Sequence, residues 1–197
     1  MLGGTIRGKR TRLRCPREDD LASYARWMAD LRVRHRGAIW HEPAAPATWK
    51  ERLAEQAKDK ESALWSIEAE GAVIGMLLGS FGWDAPMSDH ISIQHFIVDP
   101  DRWGGGYGFD AALAFHRYVL DYLDRRWCDV SVHEDNVAAR RIAEKLGYLE
   151  FAHGHAVHYR DGRYVDELLL RLDRAAWKER WGASEREYEP LPPEAWE

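Results

Sequence analysis

The chain has 197 residues, of which 45% are hydrophobic and 31% charged, with a formal net charge of −5. That balance suits one globular domain with its own core and argues against a nucleic-acid binder working through an overall basic field. No apolar run approaches the length of a membrane span and no secretory leader is visible, so a cytoplasmic protein is expected.

Thr11 to Arg14 reads as a short strand. The acidic cluster Glu18, Asp19, Asp20 then opens a helix with Leu21, Tyr24, Ala25, Met28 and Leu31 at helical spacing. Pro43 and Pro46 interrupt a loop, and Thr48-x-x-Glu51 is a capping-box signal for a second helix bearing Trp49, Leu53 and Ala57. Leu64–Glu68 and Val73–Phe81 are strand-like runs joined across Glu70-Gly71, a hairpin signal. A strand over His90–Val98 ends at Pro100. After a glycine-rich stretch, a long helix carries Phe109, Ala112, Leu113, Val119, Leu120 and Leu123. Trp127–His133 is the next strand, and a helix with Ala138, Ala139, Ile142, Ala143 and Leu146 on one face stops at Gly147. His155–Tyr159 and Tyr164–Leu172 flank Asp161-Gly162, a second hairpin signal. The charged segment after Trp177, with Pro190, Pro192 and Pro193, reads as a surface tail, giving a domain over 1–177 and a tail over 178–197.

Cys15 and Cys128 stand far apart without a CxxC pair, so neither a disulfide framework nor a zinc knuckle is indicated, and Cys128 reads as a buried strand thiol. His153, His155 and His158 form an H-x-H-x-x-H cluster. In a strand the first two share a face and the third points away, so the cluster reads as strand surface or substrate cleft, and no metal is expected. The ten tryptophans read first as core and cleft packing.

The most informative stretch is Trp103-Gly104-Gly105-Gly106-Tyr107-Gly108-Phe109, between a strand and the first turn of a helix. Free amides and the helix dipole there make a site for phosphate or pyrophosphate. A Walker loop is excluded, since no Gly-Lys-Ser/Thr follows, and G-x-G-x-x-G is broken by Phe109. A chain-reversing turn is the plain alternative.

Trp103 to Gly108 resemble the pyrophosphate loop Q/R-x-x-G-x-G/A of the GNAT acetyltransferase superfamily, with Gly106 and Gly108 at its small positions and Trp103 replacing the usual Gln or Arg. Leu13-Arg14, Gly75, Asp99-Pro100, Asn136, Glu144–Tyr148 and Asp161-Gly162-x-Tyr164-x-Asp166 extend the likeness from Thr11 to Trp177, toward the branch of ribosomal-protein-alanine and spermidine acetyltransferases. The resemblance implies an α/β fold: a mixed, mostly antiparallel central sheet, flanked by helices and splayed between its fourth and fifth strands. It implies acetyl transfer from the cosubstrate acetyl-CoA to an amine, directly and in a ternary complex. The acceptor would be a protein N-terminus, a polyamine, an aminoglycoside or another small amine, with no nucleic-acid or membrane partner. Dimers are common in the family, so a homodimer is among the assemblies implied.

By the same likeness Ile97 and Val98 would pair with the pantetheine arm, the Val98 amide would stabilise an oxyanion, and residues 103 to 109 would cradle pyrophosphate. Asn136 would contact the coenzyme or a water, or serve as a helix N-cap. Arg140, Arg141 or Lys145 would reach the 3′-phosphate. The amine must lose a proton, for which His95, beside Gln94, is the natural base, against Asp89, His90 or a water chain. The family's tyrosine acid is replaced by Ala143, leaving Tyr148, Tyr107 or solvent to protonate the thiolate. An inactive acyl-CoA-binding module and a structural partner protein are the rival readings.

Overall fold

The computed structural model describes residues 3–36, 45–81 and 89–182. Pro43 and the part of the tail that carries Pro190, Pro192 and Pro193 lie outside them. Eight strands form one sheet: β1 (Ile6–Arg7), β2 (Arg12–Arg14), β3 (Ser62–Ala69), β4 (Ala72–Ser80), β5 (His90–Val98), β6 (Trp127–His133), β7 (Leu149–Arg160) and β8 (Arg163–Asp173), in the spatial order β1-β2-β3-β4-β5-β6-β8-β7. All neighbours are antiparallel except β5 and β6. The two-residue β1, absent from the sequence reading, makes the expected fourth and fifth strands β5 and β6.

Local chemistry sets the turns. Glu70 and Gly71 have φ of 53° and 76°, and Asp161 and Gly162 have 51° and 78°. Two successive positive φ values are the hairpin turn whose twist matches that of its strands. Among the described residues six α-helices cover the sheet: α1 (Leu21–Ala29), α2 (Leu31–Arg34), α3 (Pro46–Lys58), α4 (Tyr107–Arg117), α5 (Val137–Leu146) and α6 (Arg174–Trp181). The first expected helix breaks at Asp30, whose side chain caps α2, so Leu31 leaves the buried stripe and is exposed. Helix α3 begins at Pro46 with Ala45 as N-cap, so Thr48 lies inside it and caps nothing. Proline at the first helical position, where no N–H partner is needed, overrides the capping-box pattern. The long helix ends as regular α-helix at Arg117 and continues through a π-helical turn over Tyr118–Tyr122. Strand β7 starts at Leu149, earlier than the alternation suggests. Helix α6 crosses the expected boundary at Trp177, which is buried, and Trp181 Nε1 donates to the Leu146 carbonyl at 3.1 Å.

The sheet separates two apolar layers. Ile67, Leu77, Ile91, Phe115, Leu120, Leu172 and Trp177 pack on the side of α4, α5 and α6. Leu21, Tyr24, Trp27, Trp49, Leu64, Met76 and Ile97 pack on the side of α1 and α3. Cys128 is buried, as expected of a strand thiol, and desolvation pushes it up to about 12. Among the described residues, no helix is long and apolar enough to cross a membrane.

Candidate active site

Strands β5 and β6 pair in parallel from His90↔Trp127 to Ile93↔Val130 and then part. Gln94 to Val98 and Ser131 to His133 therefore form the two walls of a gap. At its start the register of β4 against β5 shifts: Leu78 faces His95 while Gly79 faces Ile93, leaving Gln94 as an extra, bulged residue.

Beyond the bulge, register decides what the backbone offers. The Asp99 N–H donates to the Ile74 carbonyl at 2.7 Å, and in an antiparallel pair hydrogen-bonded residues alternate. Ile97 therefore turns its backbone toward Met76 on β4, and its carbonyl lies so close to Gly75 that a side chain there would collide with it. Phe96 and Val98 present theirs to the gap. The expectation for Val98 fits this geometry. Ile97 instead offers its backbone groups to β4, and Phe96 offers its own to the gap.

Below the gap lies the glycine loop. Gly104 and Gly106 have φ of 81° and 80°, and Gly106 is the N-cap of α4. A left-handed glycine there turns the chain sharply into the helix and leaves the first amides of α4 without intrahelical acceptors. The Trp103 indole Nε1 donates to the Val98 carbonyl at 2.8 Å, tying loop to strand. Gly108 stands in the first turn, where a β-carbon would only touch Ile142 and Val98. Tyr107 turns away, donating its hydroxyl to Glu70 at 2.6 Å, and Arg102 pairs with the same carboxylate at 2.9 Å. These two partners hold the Glu70 carboxyl below its ordinary value. Phe109 packs near Trp181 at 6.2 Å between centroids.

Two loop supports escaped the sequence reading. The Asp110 carboxylate accepts from the Lys9, Arg10 and Thr11 amides at 3.0, 3.0 and 2.9 Å and from the Thr11 hydroxyl at 2.7 Å. Arg10 bonds the Gly105 carbonyl and stacks 4.5 Å from the Tyr107 ring. Their only sequence signal is an acidic residue in the first turn of a helix.

At the far end of the gap Asn136 caps α5, accepting from the Ala139 amide at 3.2 Å, and donates to the Arg36 carbonyl at 2.6 Å. Arg36 in turn stacks 4.5 Å from Trp103, and Arg160 bonds the His35 carbonyl. The turn after α2 thus reaches both walls of the gap. Arg141 and Lys145 are exposed on α5, with Lys145 5.5 Å from the Phe109 ring and so beside the first turn of α4. Arg140 instead donates to the Glu134 carbonyl at 2.9 Å.

His95 opens into a cavity of about 400 Å³ between the sheet and helices α1 and α3, with Tyr24, Met28, Trp49 and Leu53 in its walls and Glu55 among its polar groups. Gln94 is exposed and donates to Ser92 Oγ at 3.3 Å. His95 is three residues from Val98, about 10 Å along a strand, whereas His90 and Asp89 are eight or nine residues away, more than about 25 Å. His90 stacks on Trp127 at the opposite end of β5. Tyr148 is a core residue: its hydroxyl meets His116 Nε2 at 2.6 Å, and desolvation together with Cys128 raises its pKa well above the ordinary value. Ala143 is buried and offers no hydroxyl.

A family model described as the acetyltransferase (GNAT) domain matches residues 10–149. The chain belongs to the GNAT acetyltransferase family. Solved structures of the same fold include spermidine N-acetyltransferase from Vibrio cholerae in complex with CoA and spermine, with TM-score 0.75 and 16% identity over 85% of this chain and 98% of that one. Mycobacterium smegmatis RimJ in complex with CoA-disulfide gives 0.71 and 18% over 91% and 93%. A GCN5-related N-acetyltransferase from Brucella melitensis gives 0.70 and 19% over 88% and 80%. In this GNAT chain the splayed sheet and the glycine loop meet at Val98.

Proposed function

We propose that the protein is an acetyl-CoA-dependent N-acetyltransferase acting on a primary amine by direct attack in a ternary complex. The observation that carries this reading is the gap between β5 and β6, with the Val98 amide turned into it and the glycine loop of α4 at its foot. When bound, acetyl-CoA supplies the thioester carbonyl as electrophile. The first amides of α4 hold pyrophosphate, Phe96 and Val98 offer backbone groups to the pantetheine arm, and Lys145 with Arg141 neutralises the 3′-phosphate. The Val98 N–H steadies the developing oxyanion. His95 accepts the proton of the attacking amine, which enters through the cavity below α1 and α3. The amine nitrogen bonds to the acetyl carbon, the C–S bond breaks, and water protonates the thiolate, since Ala143 and Tyr148 supply no acid there.

Spermine bound to the Vibrio cholerae enzyme supports a polyamine-type acceptor; a protein N-terminus, an aminoglycoside or another small amine fits the same chemistry. The missing hydroxyl at Ala143 favours one other reading, an acyl-CoA-binding module without turnover. The test is calorimetric titration of acetyl-CoA into wild type and Gly106→Trp, followed by thiol release over an amine panel. Binding that Gly106→Trp abolishes, with turnover on at least one amine, is expected. Binding without turnover on any amine would favour the inactive module, and no binding at all would overturn both.

A further inference from the structure

Strands β7 and β8 lose register near their hairpin. Gly154 faces Glu167 and His158 faces Val165, so residues 155–157 stand against Asp166 alone. Ala156 takes a left-handed conformation with φ 55°, and its N–H donates to Asp166 Oδ1 at 2.8 Å. His155 lies alongside His153, their rings stacked 4.4 Å apart.

Both imidazoles aim a nitrogen at one oxygen. His153 Nε2 lies 2.9 Å and His155 Nδ1 3.1 Å from Asp166 Oδ2. The other nitrogen of His153, Nδ1, lies 2.9 Å from Glu150 Oε1. A neutral imidazole has one N–H and one lone pair. Protonated, His153 donates to both carboxylates; neutral, with Nδ1–H given to Glu150, it turns the Nε2 lone pair to a carboxylate oxygen, where a cation takes the place of the lost proton. A carboxylate on the outer nitrogen is also what fixes the tautomer and orientation of a metal-bound histidine.

We propose that His153, His155 and Asp166 bind a divalent transition-metal ion of the zinc class, with Glu150 as the positioning residue for His153. The three donor atoms lie within 4.8 Å of one another, and two imidazoles with one carboxylate are a donor set that suits Zn²⁺, Ni²⁺ or Cu²⁺. The His155 side chain is 80% exposed, which leaves an entry path and room for water in the remaining positions. The neighbouring group of His133, His158 and Glu167 is a poorer host, because Arg160 Nη1 lies 3.3 Å from His133 Nδ1 and already brings a positive charge there. An ion at Asp166 would pin the bulge and, through the Asp166 carbonyl that accepts from the Glu134 N–H at 3.0 Å, the loop leading to Asn136.

The experiment is calorimetric titration of ZnCl₂ into the tag-free full chain at neutral pH, with His153→Ala, Glu150→Gln and His158→Ala, each checked for folding by far-UV circular dichroism. One ion per wild-type chain is expected at micromolar affinity. It should be lost in His153→Ala, weakened roughly tenfold or more in Glu150→Gln, and unchanged in His158→Ala. If His153→Ala fails to fold, Glu150→Gln decides. No binding to wild type, binding retained in the folded His153 and Glu150 variants, or loss confined to His158→Ala would each overturn the site.

Discussion

Replacing Asp110 by Ala tests whether the glycine loop is braced by the N-terminal hairpin. The carboxylate holds four donors, but the bonds from Lys9 and Arg10 face solvent and contribute little, whereas Thr11 is only 4% exposed. Its amide and hydroxyl, at 2.9 and 2.7 Å, lose their acceptor in the variant. Hydrogen bonds to a charged group are worth about 1.5–3 kcal/mol each, and a part-buried pair near the lower figure gives roughly 3 kcal/mol. For a domain of this size that is a fall of roughly 6–12 °C in Tm, read by thermal denaturation followed by circular dichroism. Acetyl-CoA affinity should fall as well, because Arg10 holds the Gly105 carbonyl from the segment that Asp110 anchors. A Tm within about 2 °C of wild type, below the shift expected for 1 kcal/mol, would show that the brace is not energetic and refute this reasoning.

His95→Ala should lower kcat by roughly 10²–10⁴-fold, the range for a lost general base, with acetyl-CoA affinity essentially unchanged by calorimetry; undiminished turnover would reassign the base. Lys145→Ala should weaken CoA about threefold, as for an exposed ion pair, and leave 3′-dephospho-CoA unaffected in parallel titrations. Desolvation lowers the buried His116 from 6.5 to about 4, so within that window the unfolded chain binds a proton that the fold excludes. Its contribution to stability is therefore complete above pH 6.5 and is lost as pH falls toward 4. Urea midpoints across this range should show a shallower pH slope for His116→Gln than for wild type.

The order of elements, both hairpin turns and the glycine stop of α5 were legible in the sequence. Each rests on residues a few positions apart: Glu70-Gly71 and Asp161-Gly162 adopt their turn angles in place, and Gly147 takes φ 103° after a periodic run. The glycine loop was legible for the same reason, and the match over 10–149 bears out the family it suggested. What the tertiary structure decided depends on partners far apart in the chain. One bulge at Gln94 sets which backbone groups of β5 face the gap, so those of Phe96 and Val98 turn to it while those of Ile97 turn to β4. Tyr148 belongs to the core because His116 and Cys128 wait for it there, and Asp110 matters because a hairpin one hundred residues earlier docks on it. His153 and His155 share a face by alternation alone, but that Asp166 lies under both is set by the register of β7 on β8, where three residues stand against one. Periodicity reports which face a side chain favours, but register between strands is settled by packing across the sheet, and a single inserted residue reverses it.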